Sequence, residues 1–247
     1  MDKYGLIGYP LSHSFSRDFF NAKFLAEGIE AEYMNFEIPS IKEFKGVIKN
    51  NPDLNGLNVT IPYKEQVIPY LDDLSNNAKL IGAVNVIRFE RSKNKLRLVG
   101  YNSDIIGFKQ SIEPMITNQK RALILGTGGS AKAIYYGLKQ LGIEPQYVSR
   151  TKSPDTITYE ELSEAIILSH EIIVNCTPVG MYPKVDDCPP IPYQYITSDH
   201  LLYDLLYNPN ETLFMKLGKE KGATIVNGLE MLLLQAFASW DFWTEAE

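Results

Sequence analysis

The chain has few cysteines, no excess of basic residues and no long apolar run. Its two cysteines, Cys176 and Cys188, form no CxxC pair and have no cluster of histidines near them in sequence. A zinc site or a disulfide scaffold is therefore not indicated, and we expect two reduced thiols and no bound metal. The 24 Lys and Arg residues are outnumbered by 30 Asp and Glu residues, which leaves a formal net charge of −6. This balance argues against a nucleic-acid partner, because affinity for a phosphate backbone depends on clustered positive charge.

Membrane-spanning and secretory features are also missing from the sequence. No run of about 18 apolar residues occurs, and the start, MDKYGLIG, lacks the long apolar stretch of a signal peptide. We therefore expect a cytoplasmic protein with no membrane partner. Apolar residues nevertheless make up 45% of the 247 residues, which is sufficient for the buried cores of one large or two small domains.

The most informative segment lies near the middle of the chain, where residues 121–131 read RALILGTGGSA. An apolar run that ends in glycines and small residues is typical of a strand, a tight turn and the start of a helix. Gly126 permits the sharp exit from the strand, Gly128 lets backbone N–H groups approach a pyrophosphate, and Ala131 is small enough for close packing of helix on strand. The segment predicts a dinucleotide-binding turn, although such turns also occur where nothing binds.

The end of the next predicted strand indicates which dinucleotide binds. Folds that bind NAD usually carry an acidic residue there, about 20 residues after the glycines, for the ribose 2′-hydroxyl. Here the sequence has Ser149, Arg150 and Thr151, followed by Lys152. A guanidinium binds a 2′-phosphate through paired, charge-assisted hydrogen bonds, so we predict NADP as the cofactor. The alternative is an ordinary exposed arginine at a strand end.

Short apolar strands alternate with amphipathic helices before the glycine turn. The predicted elements are strand 4–8, helix 16–27, strand 31–37, helix 41–49, strand 57–60, helix 65–80, a hairpin of strands 83–89 and 96–100 around the charged segment 90–95, and a linking helix over 101–115. This βαβ rhythm predicts the α/β class, with a separate domain ahead of the dinucleotide-binding turn.

The same alternation continues after residue 121. The predicted strands are 122–125, 146–149, 172–175, 201–205 and 224–226, and the predicted helices are 130–141, 158–169 and 212–221. We therefore expect five parallel strands joined by helices. The proline-rich segment 176–198 is expected to be an irregular loop at the strand ends, where ligands of open α/β sheets bind. The closing helix, 229–243, is apolar on most sides and is predicted to pack on the N-terminal domain.

Seven short motifs, spread over the whole chain, resemble those of the shikimate dehydrogenase family. They are HSFS at 13–16, NVTIPYKE at 58–65, GAVN at 82–85, YNSD at 101–104, GTGG at 126–129, DLLYNP at 204–209 and NGLEM at 227–231 with Gln235. The resemblance implies two α/β domains with a cleft between them. Residues 1–102 plus 228–247 would form the substrate-binding domain, and residues 103–227 a Rossmann-type NADP-binding domain. It also implies NADPH-dependent reduction of 3-dehydroshikimate to shikimate, a step of chorismate and aromatic amino-acid biosynthesis, by a monomer or homodimer.

The resemblance further implies roles for particular residues, with Lys64 and Asp104 as the catalytic pair. The implied substrate-binding residues are Ser14, Ser16, Thr60, Lys64, Asn85, Asp104, Tyr207 and Gln235. The implied cofactor-binding residues are Gly126, Thr127, Gly128, Gly129, Ser130, Ala131, Ser149, Arg150, Thr151, Thr177 and Gly228. Taken alone, these residue types have simpler explanations: a lysine in solvent, an aspartate or serine that caps a helix, or an asparagine in a turn.

The catalytic pair suits the implied chemistry. Hydride exchange at a ring carbon requires a proton to be supplied or removed at the attached oxygen. A lysine ammonium is mainly a proton donor at neutral pH, yet which of Lys64 and Asp104 moves the proton stays open. Two other functions remain: a quinate/shikimate dehydrogenase of broader specificity, and a non-catalytic regulator that senses shikimate. The presence of both residues disfavours the regulator. Arg17 stands where many family members have proline, and His13 is expected to be structural.

Overall fold

A computed structural model describes residues 1–11, 15–93 and 95–244. The chain divides into two compact units. The first unit comprises Met1–Ser103 together with Ala236–Glu247, and the second comprises Asp104–Gln235. Within the described ranges, no helix is both long enough and apolar enough to cross a membrane.

The first unit is built on a mixed sheet. Its strands are β1 (Asp2–Gly8), β2 (Ala31–Glu37), β3 (Leu54–Val59), β4 (Asp73–Leu74), β5 (Val86–Ser92) and β6 (Lys95–Tyr101), and its helices are α1 (Phe15–Glu27), α2 (Phe44–Asn50) and α3 (Asn76–Ile81). The strand order is β2-β1-β3-β5-β6-β4. Strand β1 pairs in parallel with β2 and β3, whereas β5 is antiparallel to β3 and β6. The predicted strands and the hairpin are confirmed, but most of the charged segment 90–95 belongs to the hairpin strands rather than to a loop.

The helix predicted over residues 65–80 is wrong. The structure has a short 3-10 turn at Ile68–Tyr70, then strand β4, and only then helix α3. Pro69 lacks a backbone N–H, and in an α-helix its ring would clash with the carbonyl of Glu65, so the apolar periodicity does not produce a continuous helix. Ser75 starts α3 instead, because its side chain accepts a hydrogen bond from the backbone N–H of Ala78 at 3.2 Å.

The second unit is built on a parallel sheet. Its strands are β7 (Arg121–Leu125), β8 (Glu144–Ser149), β9 (Thr156–Thr158), β10 (Ile172–Asn175), β11 (Leu201–Asp204) and β12 (Thr224–Val226), and its helices are α4 (Asp104–Ile112), α5 (Gly129–Gln140), α6 (Glu164–Leu168), α7 (Leu213–Glu220) and the first part of α8 (Leu229–Thr244). The strand order is β12-β11-β10-β7-β8-β9, with every neighbouring pair parallel. The order reverses at β7, and ligands of such sheets bind beyond the carboxyl ends of the strands at that point.

The five strands predicted for this unit are confirmed, and the sheet gains β9 at one edge. The helix predicted over residues 158–169 is wrong in its first half. A 3-10 turn at Tyr159–Glu161 comes first, and the short helix α6 starts only after Ser163, whose side chain caps it. Thr158 and Glu161 form a reciprocal capping box around the 3-10 turn, so local side-chain capping divides a segment that its apolar pattern suggests is continuous.

The end of α8 completes the core of the first unit. The indole of Trp243 lies 4.9 Å from the Tyr4 ring, centroid to centroid, and its Nε1 donates to the Ile87 carbonyl at 3.1 Å. Gly56 of β3 lies directly beneath it, since a Cβ there would be 2.4 Å from the indole. The prediction that the closing helix packs on the N-terminal part of the chain is confirmed for these residues.

Candidate active site

The glycine turn follows β7 directly in the second unit. Gly126 has a φ of +108°, a conformation that L side chains rarely adopt. A Cβ at this position would also lie 3.3 Å from Cγ2 of Thr177, which places Thr177 beside the turn. Gly128 precedes α5 in extended conformation, and a Cβ there would meet no atom within 4 Å. The two glycines therefore serve different purposes, one for backbone conformation and one for open space.

The start of α5 has the features of an anion site. The capping position is Gly128, which has no side chain to cover the first N–H groups of this 12-residue helix. Thr127 and Gly128 are exposed, while Ala131 is buried against the sheet. Unsatisfied N–H groups and the helix dipole favour a phosphate here. The described residues thus meet the requirements of a dinucleotide pyrophosphate.

Substitutions of the two glycines should separate stability from cofactor affinity. We expect Gly126→Ala to lower the free energy of unfolding by about 1 to 3 kcal/mol, because alanine is strained at this φ. Gly128→Ala should change stability by less than about 1 kcal/mol, yet weaken NADPH binding about tenfold, or about 1.4 kcal/mol, because its methyl group occupies the space that the pyrophosphate needs. Urea unfolding and fluorescence titration with NADPH measure the two effects. Unchanged NADPH affinity in Gly128→Ala would contradict the assignment of the turn.

The end of β8 carries the residues predicted to contact the ribose phosphate. Arg150 is exposed, and the backbone N–H of Thr151 donates to the Ser149 hydroxyl at 3.2 Å, which fixes a tight turn. Burial raises the pKa of Tyr159, and the positive charge of Arg150 opposes that rise. Lys152 forms an ion pair with Glu161. Arg150 therefore remains the main candidate for a 2′-phosphate contact, with Lys152 already engaged by a carboxylate.

A buried carboxylate that the motifs did not single out as a site residue joins the loops after β10 and β11. Asp204 is fully buried and accepts hydrogen bonds from the Asn175 amide at 3.0 Å, the Leu206 N–H at 3.1 Å and the Thr212 hydroxyl at 2.6 Å. The other end of the Asn175 side chain accepts from the Thr177 hydroxyl at 2.6 Å. The loop that carries Thr177 is thereby tied to the loop that carries Tyr207. The sequence did carry a signal for this pair, since Asn175 and Asp204 are the polar last residues of the apolar strands β10 and β11.

Burial raises the pKa of Asp204 to about 6, although its three hydrogen bonds oppose the rise. Because the folded chain binds this proton more tightly than the unfolded chain, the contribution of Asp204 to stability falls as pH rises from about 4 to about 6 and is constant above that. The shift of about two pH units corresponds to about 3 kcal/mol.

We therefore compare the free energies of unfolding of the wild type and of Asp204→Asn. The wild-type value minus the variant value should fall by about 3 kcal/mol as the pH rises from about 4 to about 7. Asparagine does not ionise, so the difference isolates the titration of this one carboxyl group. Urea unfolding at a series of pH values measures it. A difference that is constant or grows with pH would contradict the prediction.

Asp104 and Gln235 lie on the same side of α4 in the second unit. Asp104 is the first residue of α4 and is buried, and one of its carboxylate oxygens accepts from the Ser130 hydroxyl at 3.4 Å. Gly107 is three residues later, on the same face of α4 as Asp104. It lies close to Gln235, because a Cβ at position 107 would be 2.9 Å from the backbone nitrogen of Gln235. The structure therefore brings Asp104 near the start of α5 and Gln235 near the Asp104 face of α4.

Tyr207 and Gly228 lie around the loop after β11. Tyr207 is exposed. The N–H of Gly228 donates to the Leu206 carbonyl at 2.9 Å, and a Cβ at Gly228 would be 2.1 Å from the Leu205 carbonyl oxygen. Packing against this loop alone thus requires glycine at position 228, whatever its part in cofactor binding.

Backbone hydrogen bonds hold the predicted substrate residues of the first unit together. Thr60 follows β3, and its carbonyl accepts from the Tyr63 N–H at 2.9 Å to form a turn. The Lys64 carbonyl accepts from the Val84 N–H at 2.7 Å, which fixes the backbone of Lys64 next to the segment that leads to Asn85. The Asn85 carbonyl in turn accepts from the N–H of Val59, at the end of β3, at 2.9 Å. These bonds connect the loop that carries Lys64 to both Thr60 and Asn85.

The remaining predicted residues have different outcomes. Ser16 lies in the first turn of α1 and is half-buried, so its hydroxyl is next to the helix N-terminus as the sequence suggested. Ser14, with His13, lies outside the described residues. The positions of these residues do not test the catalytic, substrate-binding and cofactor-binding roles predicted for them, so those roles stay predictions.

The fold and the glycine turn define the class of protein. A parallel sheet that reverses order at β7, a glycine turn at the start of α5 and a basic residue at the end of β8 are the features of a Rossmann-type, NADP-dependent oxidoreductase.

Comparisons with known proteins identify the family. Residues 6–87 match the family model described as the shikimate dehydrogenase substrate binding domain. The chain is 40% identical to the shikimate dehydrogenase (NADP(+)) of Clostridium beijerinckii, over 100% of this chain and 93% of that protein. The crystal structure of shikimate dehydrogenase from Aquifex aeolicus superposes with a TM-score of 0.88 at 35% identity, covering 100% of this chain and 94% of the other. The Thermus thermophilus enzyme in complex with NADP(H) and shikimate has a TM-score of 0.86 at 28% identity, covering 99% of this chain and 94% of the other. The chain belongs to the shikimate dehydrogenase family.

Proposed function

We propose that this chain catalyses the reversible, NADP-dependent interconversion of shikimate and 3-dehydroshikimate. The observation that carries the proposal is the presence of both Lys64 and Asp104 in a chain that is 40% identical, over 100% of its length, to a relative named shikimate dehydrogenase (NADP(+)). A regulator that only senses the ligand has no need of a proton-transfer pair.

The second unit holds the cofactor in this proposal. The turn and first helical residues, namely Gly126, Thr127, Gly128, Gly129, Ser130 and Ala131, bind the pyrophosphate. Ser149, Arg150 and Thr151 bind the ribose phosphate, and Thr177 and Gly228 lie on the loops that complete the site. When bound, NADP supplies the hydride acceptor, and its reduced form the hydride donor.

Hydroxyl and amide groups of the chain select the substrate. Ser16, in the first turn of α1, binds the substrate carboxylate together with Ser14 and Tyr207, since a helix N-terminus favours an anion. Thr60, Asn85 and Gln235 hydrogen-bond the ring hydroxyls. Because buried polar groups left without partners are costly, these residues disfavour analogues with a different hydroxyl pattern.

Lys64 and Asp104 exchange the proton at the oxygen of the reacting carbon. The Lys64 ammonium hydrogen-bonds that oxygen and stabilises the negative charge that develops on it. The Asp104 carboxylate, buried at the start of α4, is the second member of the pair.

The proposed place of action is the cytoplasm, for a monomer or homodimer. Cys176 and Cys188 both remain free thiols in the structure, which supports a reducing compartment. Light scattering on the purified chain distinguishes a monomer from a dimer.

The deciding experiment measures the absorbance of reduced nicotinamide with shikimate or quinate and with NADP or NAD, in all four combinations. We expect the highest kcat/KM with shikimate and NADP. Equal rates with quinate would indicate the broader enzyme, and no turnover in any combination would overturn the proposed function. Lys64→Ala purified in the same way controls for a contaminating host dehydrogenase.

A further inference from the structure

A chain of buried polar side chains runs through the first unit and connects Ser16 with Asn85, two residues proposed to bind the substrate. Tyr33, Asn58, Asn85, Ser103 and Ser239 are each at most 6% exposed. They come from five segments of the chain, including the second half of α8. Each hydrogen bond among them joins a donor to an acceptor. Such a network costs desolvation that an apolar core would not, so it calls for an explanation beyond stability.

Asn58 lies at the centre, and its amide has a single favourable orientation. Its Oδ1 accepts from the Tyr33 hydroxyl at 2.8 Å. Its Nδ2 donates to the Ser239 hydroxyl at 3.0 Å and to the Asn85 carbonyl at 3.2 Å. A flipped amide would direct an oxygen at the Asn85 carbonyl, which is also an acceptor. The two hydroxyls and one carbonyl therefore fix Asn58.

The Asn85 side chain is fixed in the same way. Its Nδ2 donates to the Ser103 hydroxyl at 2.9 Å, and its Oδ1 accepts from the Ser103 N–H at 2.7 Å. The hydroxyls of Ser103 and Ser239 lie 3.1 Å apart. Each of these hydroxyls accepts an amide hydrogen, so a hydrogen bond between them joins Asn58 to Asn85. Ser239 is thus the residue at which the two amides are coupled.

Tyr33 connects the other end of the network to Ser16. The Tyr33 ring stacks on Phe20 of α1 with centroids 4.8 Å apart, which leaves its hydroxyl little freedom. Burial raises the pKa of Tyr33 well above its ordinary value, and a hydrogen bond with Ser16 acts in the opposite direction. The Tyr33 hydroxyl therefore has Ser16 on one side and Asn58 on the other.

We propose that Tyr33 and Ser239 are positioning residues for substrate selection: through Asn58 and Ser103 they fix the directions in which Ser16 and Asn85 present their polar groups. The inference rests on the proposed function, because it requires Ser16 and Asn85 to bind the substrate. Neither Tyr33 nor Ser239 needs to contact the substrate. Preorganised donors and acceptors favour one hydroxyl pattern, and loosening them weakens binding without altering the proton-transfer pair.

Tyr33→Phe and Ser239→Ala test the proposal in the full-length enzyme, since each removes one hydroxyl. We expect each variant to raise the KM for shikimate about fivefold to tenfold, the effect of one neutral hydrogen bond. The kcat and the dissociation constant of NADPH should stay within about twofold of the wild-type values, because uniform substrate binding is what is lost.

Ser111→Ala is the matched control for Ser239→Ala. Ser111 is also fully buried, and its hydroxyl lies 2.7 Å from that of Tyr203 in the second unit. This variant loses the same kind of hydrogen bond and should lose a similar amount of thermal stability, but its KM for shikimate should not change.

The outcomes separate the two proposals. An active wild type whose KM for shikimate is unchanged in both variants would overturn the positioning role and leave the proposed function intact. A wild type that does not oxidise shikimate would overturn the function itself. If one variant fails to fold, the other decides, and if both fail, the network is structural and the positioning role is overturned.

Discussion

Replacing Lys64 by alanine is expected to lower kcat for shikimate oxidation by at least about a hundredfold, the usual scale of general acid–base assistance. The ammonium interacts most strongly with the oxygen while charge develops on it, so its loss affects the transition state more than the bound substrate. The KM for shikimate should therefore change much less than kcat. Steady-state kinetics with saturating NADP measure both values.

Lys49→Ala is the matched control, because Lys49 is an exposed lysine on α2 of the same unit and has no proposed role. It should keep wild-type kinetics. Normal turnover in Lys64→Ala would refute the catalytic role of Lys64, whereas a large rise in KM at constant kcat would make it a binding residue only.

Replacing Arg150 by alanine is expected to weaken NADPH binding by about 1.5 to 3 kcal/mol, the range for a hydrogen bond to a charged group. NADH lacks the 2′-phosphate, so its affinity should be nearly unchanged. Lys152 does not compensate fully, because it is already paired with Glu161. Fluorescence titration with each reduced cofactor measures the two dissociation constants.

Arg121→Ala provides the control for charge. Arg121 is an exposed arginine at the first residue of β7, whereas the glycine turn lies beyond the last residue of that strand. It changes the net charge by the same amount at the other end of the strand and should spare NADPH. Equal losses for NADPH and NADH in Arg150→Ala would count against a 2′-phosphate contact.

Much of the fold is predictable from local sequence. The apolar runs at 122–125 and 172–175 are strands as expected. Strands of a parallel sheet are buried on both faces, so they appear in the sequence as short, continuous apolar runs. Errors arise where capping competes with periodicity. Pro69 and Ser75 break the segment predicted as helix 65–80, and a capping box does the same near residue 160.

The candidate site is predictable where one segment carries the whole signal. The glycine turn after β7 is such a segment, since its conformation and its open space both follow from residue type. The network around Asn58 is not, because it depends on partners far apart in sequence: Asn58 and Ser239 are separated by 181 residues. No local pattern identifies such a pair, and neither does any pattern show that Glu161 engages Lys152.

The position of Trp243 has a consequence for how the chain matures. The first unit is discontinuous, since it takes its last core side chain from the end of α8, and the bond from Trp243 to Ile87 spans 156 residues. A ribosome makes the chain from its N-terminus onward. The N-terminal part of the first unit is therefore made before α8, and its core is complete only after Trp243 has been added. The second unit, continuous from Asp104 to Gln235, has all its residues available sooner, so the part made first is the part finished last.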